Sequence, residues 1–392
     1  MSGKARQIFL LLYDFWLRCR WNLRKPEPAE GERQSDGRKP VLIVKTGGLG
    51  DFILWLDAAK RYRKWFDRQE YYLVLLANSR PAIDILRQLG YFDEYLFVDN
   101  CKVHQDLAYR KASLKAVRSR KFEIAVNADH VNNYRSNIMF IQMLGKETYK
   151  IGVKGAGTGI AERMKERGFQ RLLPVVPELK RDIERYTVML DELSEQQSPV
   201  RYPELPVLGE NRMAELRQAY FVLSPTASDL RRAWPAERFV EIAQNVYRKK
   251  GWTAVIVGSK EDMEHNREIE RHLEHSGVCV RNLTGALSIL ETAEVIRGAQ
   301  IHIGNDSGNS HIANAVKTKH FVILGGGTFD KYFPYREEYQ LPGVEQFCIS
   351  RERQDCFGCG WNCNVNVTAG KFYPCMQEIR VEDVWRSVDA QI

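Results

Sequence analysis

The residues of this chain best suited to chemistry lie where apolar runs break into turns. In VLIVKTGGLGDFI, residues 41–53, Asp51 stands at the mouth of a glycine-rich turn. Glycines let backbone and ligand approach closely, and a carboxylate there can take a proton from a hydroxyl nucleophile. The same spacing suits an Asp that caps the following helix, so residue type alone leaves both roles open. The segment is no dinucleotide fingerprint, because Ile53 stands where a third small residue is required.

In LSPTASDLRRAWPAERF, residues 223–239, small hydroxylated residues lead to Arg231, Arg232 and a Trp-Pro pair. Guanidinium and hydroxyl donors at the end of a strand suit a pyrophosphate, and a surface loop with two solvated arginines fits equally. In IGNDSGNSHIANAV, residues 303–316, Asp306, Ser307 and the amides near Gly308 and Asn309 gather at a helix start, with His311 one turn on. A helix N-terminus is a natural seat for phosphate; a capping Asp306 and a buried, hydrogen-bonded His311 are the structural alternative. The run ILGGGTFD, residues 323–330, leaves the next strand at the same edge. Cys356, Cys359, Cys363 and Cys375, spaced by two, three and eleven residues, could hold zinc or an iron–sulfur cluster. They match no standard finger, and reduced structural thiols fit as well.

These residues need sheets to hold them. Apolar strand-like runs alternate with helical stretches, which predicts an α/β chain of parallel sheets whose ligands bind at the carboxyl ends of the strands. The 392 residues exceed one ordinary core. The expected division is a basic amphipathic helix over 1–25, a polar linker over 26–39, Rossmann-like domains over 40–200 and 210–350, and a cysteine-rich tail over 351–392. The two domains are expected to face each other across a cleft.

Ile8, Phe9, Leu12, Phe15, Trp16 and Cys19 fall on one face of the first helix, among Lys4, Arg6, Arg18, Arg20, Arg24 and Lys25 and against Asp14 alone. That pattern suits a helix lying in an anionic membrane interface, and equally a helix docked on the protein itself. Lys and Arg total 58 against 50 Asp and Glu, a net charge of +8 that favours anionic partners. The basic run at residues 110–121 fits phosphorylated sugars or a solvated helix face. It lacks interleaved aromatics, which argues against nucleic acid. Eight cysteines are few for a disulfide scaffold of this length and indicate a reducing compartment.

Taken in this order, VLIVKTGGLGD, the stretch from Ser228 to Trp234 and GNDSGNSHIANA resemble glycosyltransferase family 9, the ADP-heptose:lipopolysaccharide heptosyltransferases, over roughly residues 40–380. The resemblance implies a GT-B fold and an inverting, metal-independent transfer of heptose from a nucleotide-sugar, ADP-heptose, to a lipid-linked lipopolysaccharide core acceptor. It also implies a cytoplasmic protein, peripheral on the inner membrane. By the same resemblance Asp51 is the base. Ser228, Arg232, Asp306, Ser307, Gly308 and His311 bind the donor, and Lys45, Gly48 and Gly50 lie on the acceptor side. Arg232 stands where the family usually has Lys, and Asn309-Ser310 is an unusual spelling. These departures bear on which nucleotide-sugar is used. A sugar-nucleotide epimerase of the same architecture and a membrane-associated non-catalytic relative are the competing readings.

Overall fold

Short apolar runs become the strands of two parallel sheets. The computed structural model describes residues 3–22, 36–131, 133, 136–155, 160–174, 176, 178–211, 213, 218–351, 356–363 and 372–392. Most of the expected linker over 26–39 lies outside them. The chain divides into two units: Met1–Gly48, Trp55–Leu179 and Ile183–Pro199 form one, and Leu49–Leu54, Lys180–Asp182 and Val200–Ile392 the other.

The chain opens with α1 (Gly3–Asn22), β1 (Lys39–Lys45), α2 (Leu49–Leu54), α3 (Leu56–Trp65), β2 (Tyr71–Ala77), α4 (Arg80–Leu89) and β3 (Glu94–Phe97). It continues through α5 (Asn100–Gln105), α6 (Leu107–Arg118), β4 (Ile124–Asn127), α7 (Ile138–Gln142), β5 (Tyr149–Val153), α8 (Ile160–Glu166), β6 (Arg171–Leu173) and α9 (Asp182–Ser194). The first sheet runs β3-β2-β1-β4-β5-β6, with Val41 beside Leu73 on one side and Ile124 on the other. Val41 to Val44 are all buried, as a central parallel strand covered on both faces requires.

α1 docks on this unit. Leu17 joins its core with Leu42, Val74 and Leu114, and Asp14 pairs with Arg110 of α6. The basic run at 110–121 is therefore not a uniformly solvated face, since its first arginine is wholly buried.

The second unit adds β7 (Tyr220–Ser224), a 3-10 turn at Leu230–Arg232, α10 (Ala236–Lys250), β8 (Thr253–Ile256), α11 (Met263–His275) and β9 (Val280–Asn282). Then come α12 (Ile289–Arg297), β10 (His302–Asn305), α13 (Gly308–Ala315), β11 (His320–Ile323), β12 (Gln346–Ile349), α14 (Pro374–Gln377) and α15 (Val381–Asp389). Its sheet runs β12-β11-β10-β7-β8-β9. Counted within each unit, both sheets share the doubly wound order 3-2-1-4-5-6, whose strand order reverses beside the first strand and opens a crevice there. Local signals set many helix ends. Ser288 and Glu291 form a capping box on α12, and Gly251 closes α10 at φ 68°.

Candidate active site

Where the strand order reverses in the second sheet, β7 and β10 end at Ser224 and Asn305. Asn305 ties the two exits together: its side chain accepts from the Trp234 amide at 2.9 Å and donates to the Pro225 carbonyl at 2.8 Å. Trp234 is fully buried, its indole N–H on the Ile379 carbonyl at 2.9 Å. The Trp-Pro pair thus anchors the loop, and Pro235 is the N-cap of α10.

The two arginines of that loop have different fates. Arg231 is held by Asp229 at 2.7 Å, whereas Arg232 leaves a buried Nε without a hydrogen-bond partner among the described residues. Arg232 lies over the Trp361 ring, 5.4 Å from its centroid. Ser228 is exposed on the same loop. Ser307 is the N-cap of α13, yet its hydroxyl makes no cap bond and is buried without a partner among the described residues. Asp306 is 12% exposed and accepts from Thr328 at 2.6 Å. Burial pushes its carboxyl up to about 6, opposed by the Thr328 hydrogen bond and Arg232, with Asp51 adding to the rise. A guanidinium with an unbonded Nε, an unused hydroxyl, the first amides of α13 and a readily neutralised carboxyl together favour an anion.

His311 is buried within this arrangement, stacked on Phe333 at 4.5 Å with Nδ1 2.5 Å from the Tyr335 hydroxyl. Burial holds the imidazole down to about 3 and raises the Tyr335 phenol, so a neutral ring accepts from Tyr335 and keeps its proton on Nε2. Nε2 lies 3.8 Å from Asp306 Oδ1.

Asp51 belongs to the same unit, because α2 packs on α13. Glycines permit the approach: a Cβ on Gly50 would sit 2.6 Å from the His311 ring, and one on Gly308 2.9 Å from Leu49. Asp51 is the third residue of α2, inside the helix and not at its cap. Its Oδ1 accepts from the Tyr332 hydroxyl at 3.0 Å. Burial, and next the charge of Asp51, push the Tyr332 phenol up and keep it a donor.

Lys45 and Gly48 belong to the first unit. Lys45 is buried, 2.7 Å from Asp129, and donates to the Thr46 carbonyl. Asp129 also accepts from the Thr46 amide and hydroxyl and from Asn137. The geometry makes Lys45 a brace for the exits of β1 and β4. Gly47, at φ 142°, is the turn glycine whose backbone needs the type. His130, Pro174, Leu179 and Arg185 line a small pocket in this unit.

The sequence reading missed Thr328, Tyr332 and Tyr335, in the loop after β11, and Trp361 of the tail. The glycine run was the available signal. A Cβ on Gly325 or Gly327 would collide with the Trp361 ring and one on Gly326 with Phe357, so these glycines admit the cysteine-rich tail. Cys356, Cys359, Cys363 and Cys375 are partly buried thiols. Burial pushes the Cys375 thiol up, and the three other cysteines push it further against a backbone hydrogen bond from Gly326. Among the described residues no group of three or more His, Cys, Asp or Glu is arranged to hold a metal ion.

The family model described as glycosyltransferase family 9 (heptosyltransferase) matches residues 111–359. A lipooligosaccharide heptosyltransferase 2 of Haemophilus ducreyi is 33% identical over 103 residues, 26% of this chain; the match spans only 29% of that protein. A family 9 glycosyl transferase from Veillonella parvula superposes with a TM-score of 0.68 at 15% identity, covering 93% of this chain and 98% of the other. The E. coli ADP-heptose lps heptosyltransferase II gives 0.63 at 16% identity, covering 90% and 98%. The E. coli heptosyltransferase WaaC with ADP-2-deoxy-2-fluoro heptose gives 0.62 at 15%, covering 90% and 100%. At these identities the structures speak for the fold, which is the GT-B class.

Proposed function

The chain belongs to glycosyltransferase family 9, the heptosyltransferases, and from that premise we propose that it moves heptose from ADP-heptose onto a lipid-linked lipopolysaccharide core acceptor. The observation that carries this reading is Asp51, hydrogen-bonded by Tyr332, in the same compact unit as the anion seat of Arg232, Ser307 and the start of α13.

The step is a single inverting displacement. The Asp51 carboxylate takes the proton of an acceptor hydroxyl while that oxygen forms a bond to the anomeric carbon. The bond from that carbon to the diphosphate oxygen breaks, and its electron pair leaves with the nucleoside diphosphate. Arg232, Ser228, Ser307 and the amides at Gly308 balance the charge growing there, with the His311 Nε2–H beside them. These groups supply the stabilisation from the chain's own residues, in keeping with a metal-independent reaction. Lys45, Gly48 and Gly50 are assigned to the acceptor side, with Lys45 and Gly48 shaping its turn and Gly50 letting α2 approach α13. The acceptor is lipid-linked, so the protein works on an anionic membrane surface, on the cytoplasmic face of the inner membrane.

Asp51→Asn is expected to lower kcat by about a hundredfold or more while donor affinity stays within about twofold. Single-turnover kinetics with calorimetric donor binding checks this, and near-normal turnover removes Asp51 as base.

The four cysteines form, in the same proposal, a thiolate set for zinc or an iron–sulfur cluster. Four neighbouring thiols, three of which push the Cys375 thiol up, suit a soft cation, whose charge would brace the turn carrying Trp361. Elemental analysis of protein purified without chelators should find the metal; a metal-free, fully folded preparation leaves them as structural thiols.

A further inference from the structure

The one acidic residue among the first 25 faces inward, and the face it leaves outside carries none. Asp14 is buried with Arg110, whose Nε donates to Oδ1 at 2.8 Å and whose terminal nitrogen bonds Oδ2. Arg110 donates also to the Val103 carbonyl. With Leu10 and Leu17 buried on the same side, this pair sets the rotation of α1, since turning the helix would strand a buried guanidinium. Docking and exposure are thus two faces of one helix.

The opposite face is apolar and open. Phe9, Leu12, Phe15 and Trp16 are 43, 59, 50 and 50% exposed. Phe9, Leu12 and Trp16 follow one another at offsets of three and four, the spacing of a single helical face. Tyr13 stacks between Phe9 and Trp16, with centroids at 6.3 and 6.1 Å, and the Arg20 guanidinium lies 5.2 Å over the Trp16 ring. Large apolar side chains kept together in water mark a contact surface. Its chemistry is aromatic and cationic, with the Arg20 guanidinium over Trp16, and by sequence the first 25 residues hold six Lys and Arg against Asp14 alone. Among the described residues no helix is long and apolar enough to cross a membrane.

We propose that α1 is a pre-oriented interfacial anchor for an anionic lipid surface, its roll set by the Asp14–Arg110 pair. Phe9, Leu12, Phe15 and Trp16 enter the acyl boundary, and Arg20 stays at the level of the headgroup phosphates. A neutral protein partner would use the aromatics but leave the cations unanswered; anionic lipid uses both. The proposal deepens the reading of a lipid-linked acceptor and rests on it for its purpose, although the contact itself requires no acceptor.

The test is co-sedimentation of the full chain with phosphatidylglycerol vesicles and with phosphatidylcholine vesicles, donor and acceptor omitted. Wild type is expected in the phosphatidylglycerol pellet and mainly in the phosphatidylcholine supernatant. The double variant Phe9→Glu, Trp16→Glu should lose more than about tenfold in partition. Its substitutions are exposed, so its thermal unfolding should match wild type. Wild type that ignores phosphatidylglycerol, or a variant that pellets equally, overturns the proposal. So does a wild-type dimer that the variant turns into monomers with no effect on vesicle binding, because a second copy then covers the face. Vesicle binding without glycosyl transfer leaves the anchor standing and sinks the enzyme reading. Transfer to a lipid-free acceptor fragment without vesicle binding does the reverse.

Discussion

Asp51 and Asp306 are carboxylates of one unit whose partners differ. Asp51 accepts from a phenol that burial keeps protonated, and Asp306 is pushed up to about 6 by burial. A carboxylate facing a diphosphate repels it, and a neutral carboxyl does not. If the donor sits at the α13 start, its affinity should be highest below pH 6 and fall as pH rises through that value, by about tenfold. Asp306→Asn should flatten this dependence at the high-affinity end. Calorimetry with a non-transferable nucleotide-sugar checks it, and a wild-type affinity independent of pH would place the diphosphate elsewhere. Arg232 contributes through its unpaired Nε, whereas its neighbour Arg231 is neutralised by Asp229. Adjacent identical residues differ here by one ion pair.

At the scale of elements, the approach of α2 to α13 positions the carboxylate. Gly50 is no turn glycine, since its φ is not among the positive ones. It is small because the His311 ring occupies the space of its Cβ, and that ring is fixed by Phe333 and Tyr335. Gly50→Ala should therefore destabilise the fold by about 1–3 kcal/mol through overpacking. It should also displace α2 and lower kcat with little change in donor affinity. Urea unfolding and steady-state kinetics read the two effects. An alanine variant of full stability and activity would show that the helices part without cost. The tail follows the same logic: Gly325, Gly326 and Gly327 lack side chains where Trp361 and Phe357 pack.

Across the whole molecule, three buried histidines with depressed pKa values share the second unit. His302, His311 and His320 are buried and held down to about 3, 3 and 4, each chiefly by burial. A base with a depressed folded pKa takes up its proton on unfolding, so each contributes stability that is lost as pH falls from 6.5 towards those values. Asp306 acts oppositely, because its raised pKa favours the folded state as pH falls from about 6 to 3.8. Near pH 5 the four groups leave an uptake of about two protons on unfolding, or roughly 3 kcal/mol per pH unit. Chemical denaturation between pH 4.5 and 6.5 should show stability falling steeply with acid, and a flat profile would mean that the histidines are charged in the fold.

The sequence by itself determined whatever is local. Apolar runs such as Val41–Val44 predict central strands, and the strand-to-turn motifs predict an anion seat at Ser307 and Gly308, since strand burial and helix-end dipoles are properties of consecutive residues. The order of those motifs carried the family resemblance. Only the tertiary structure decided the partners. Tyr332 meets Asp51 across 281 residues, and Asp129 meets Lys45 across 84. No periodicity encodes such a distance; the first is set by the packing of α2 on α13, and the second by β1 and β4 lying side by side in the first sheet. The N-terminal helix shows the same limit. Its composition is amphipathic in either orientation, and the buried pair of Asp14 with Arg110, together with buried Leu10 and Leu17, decides which face meets the protein and which meets solvent.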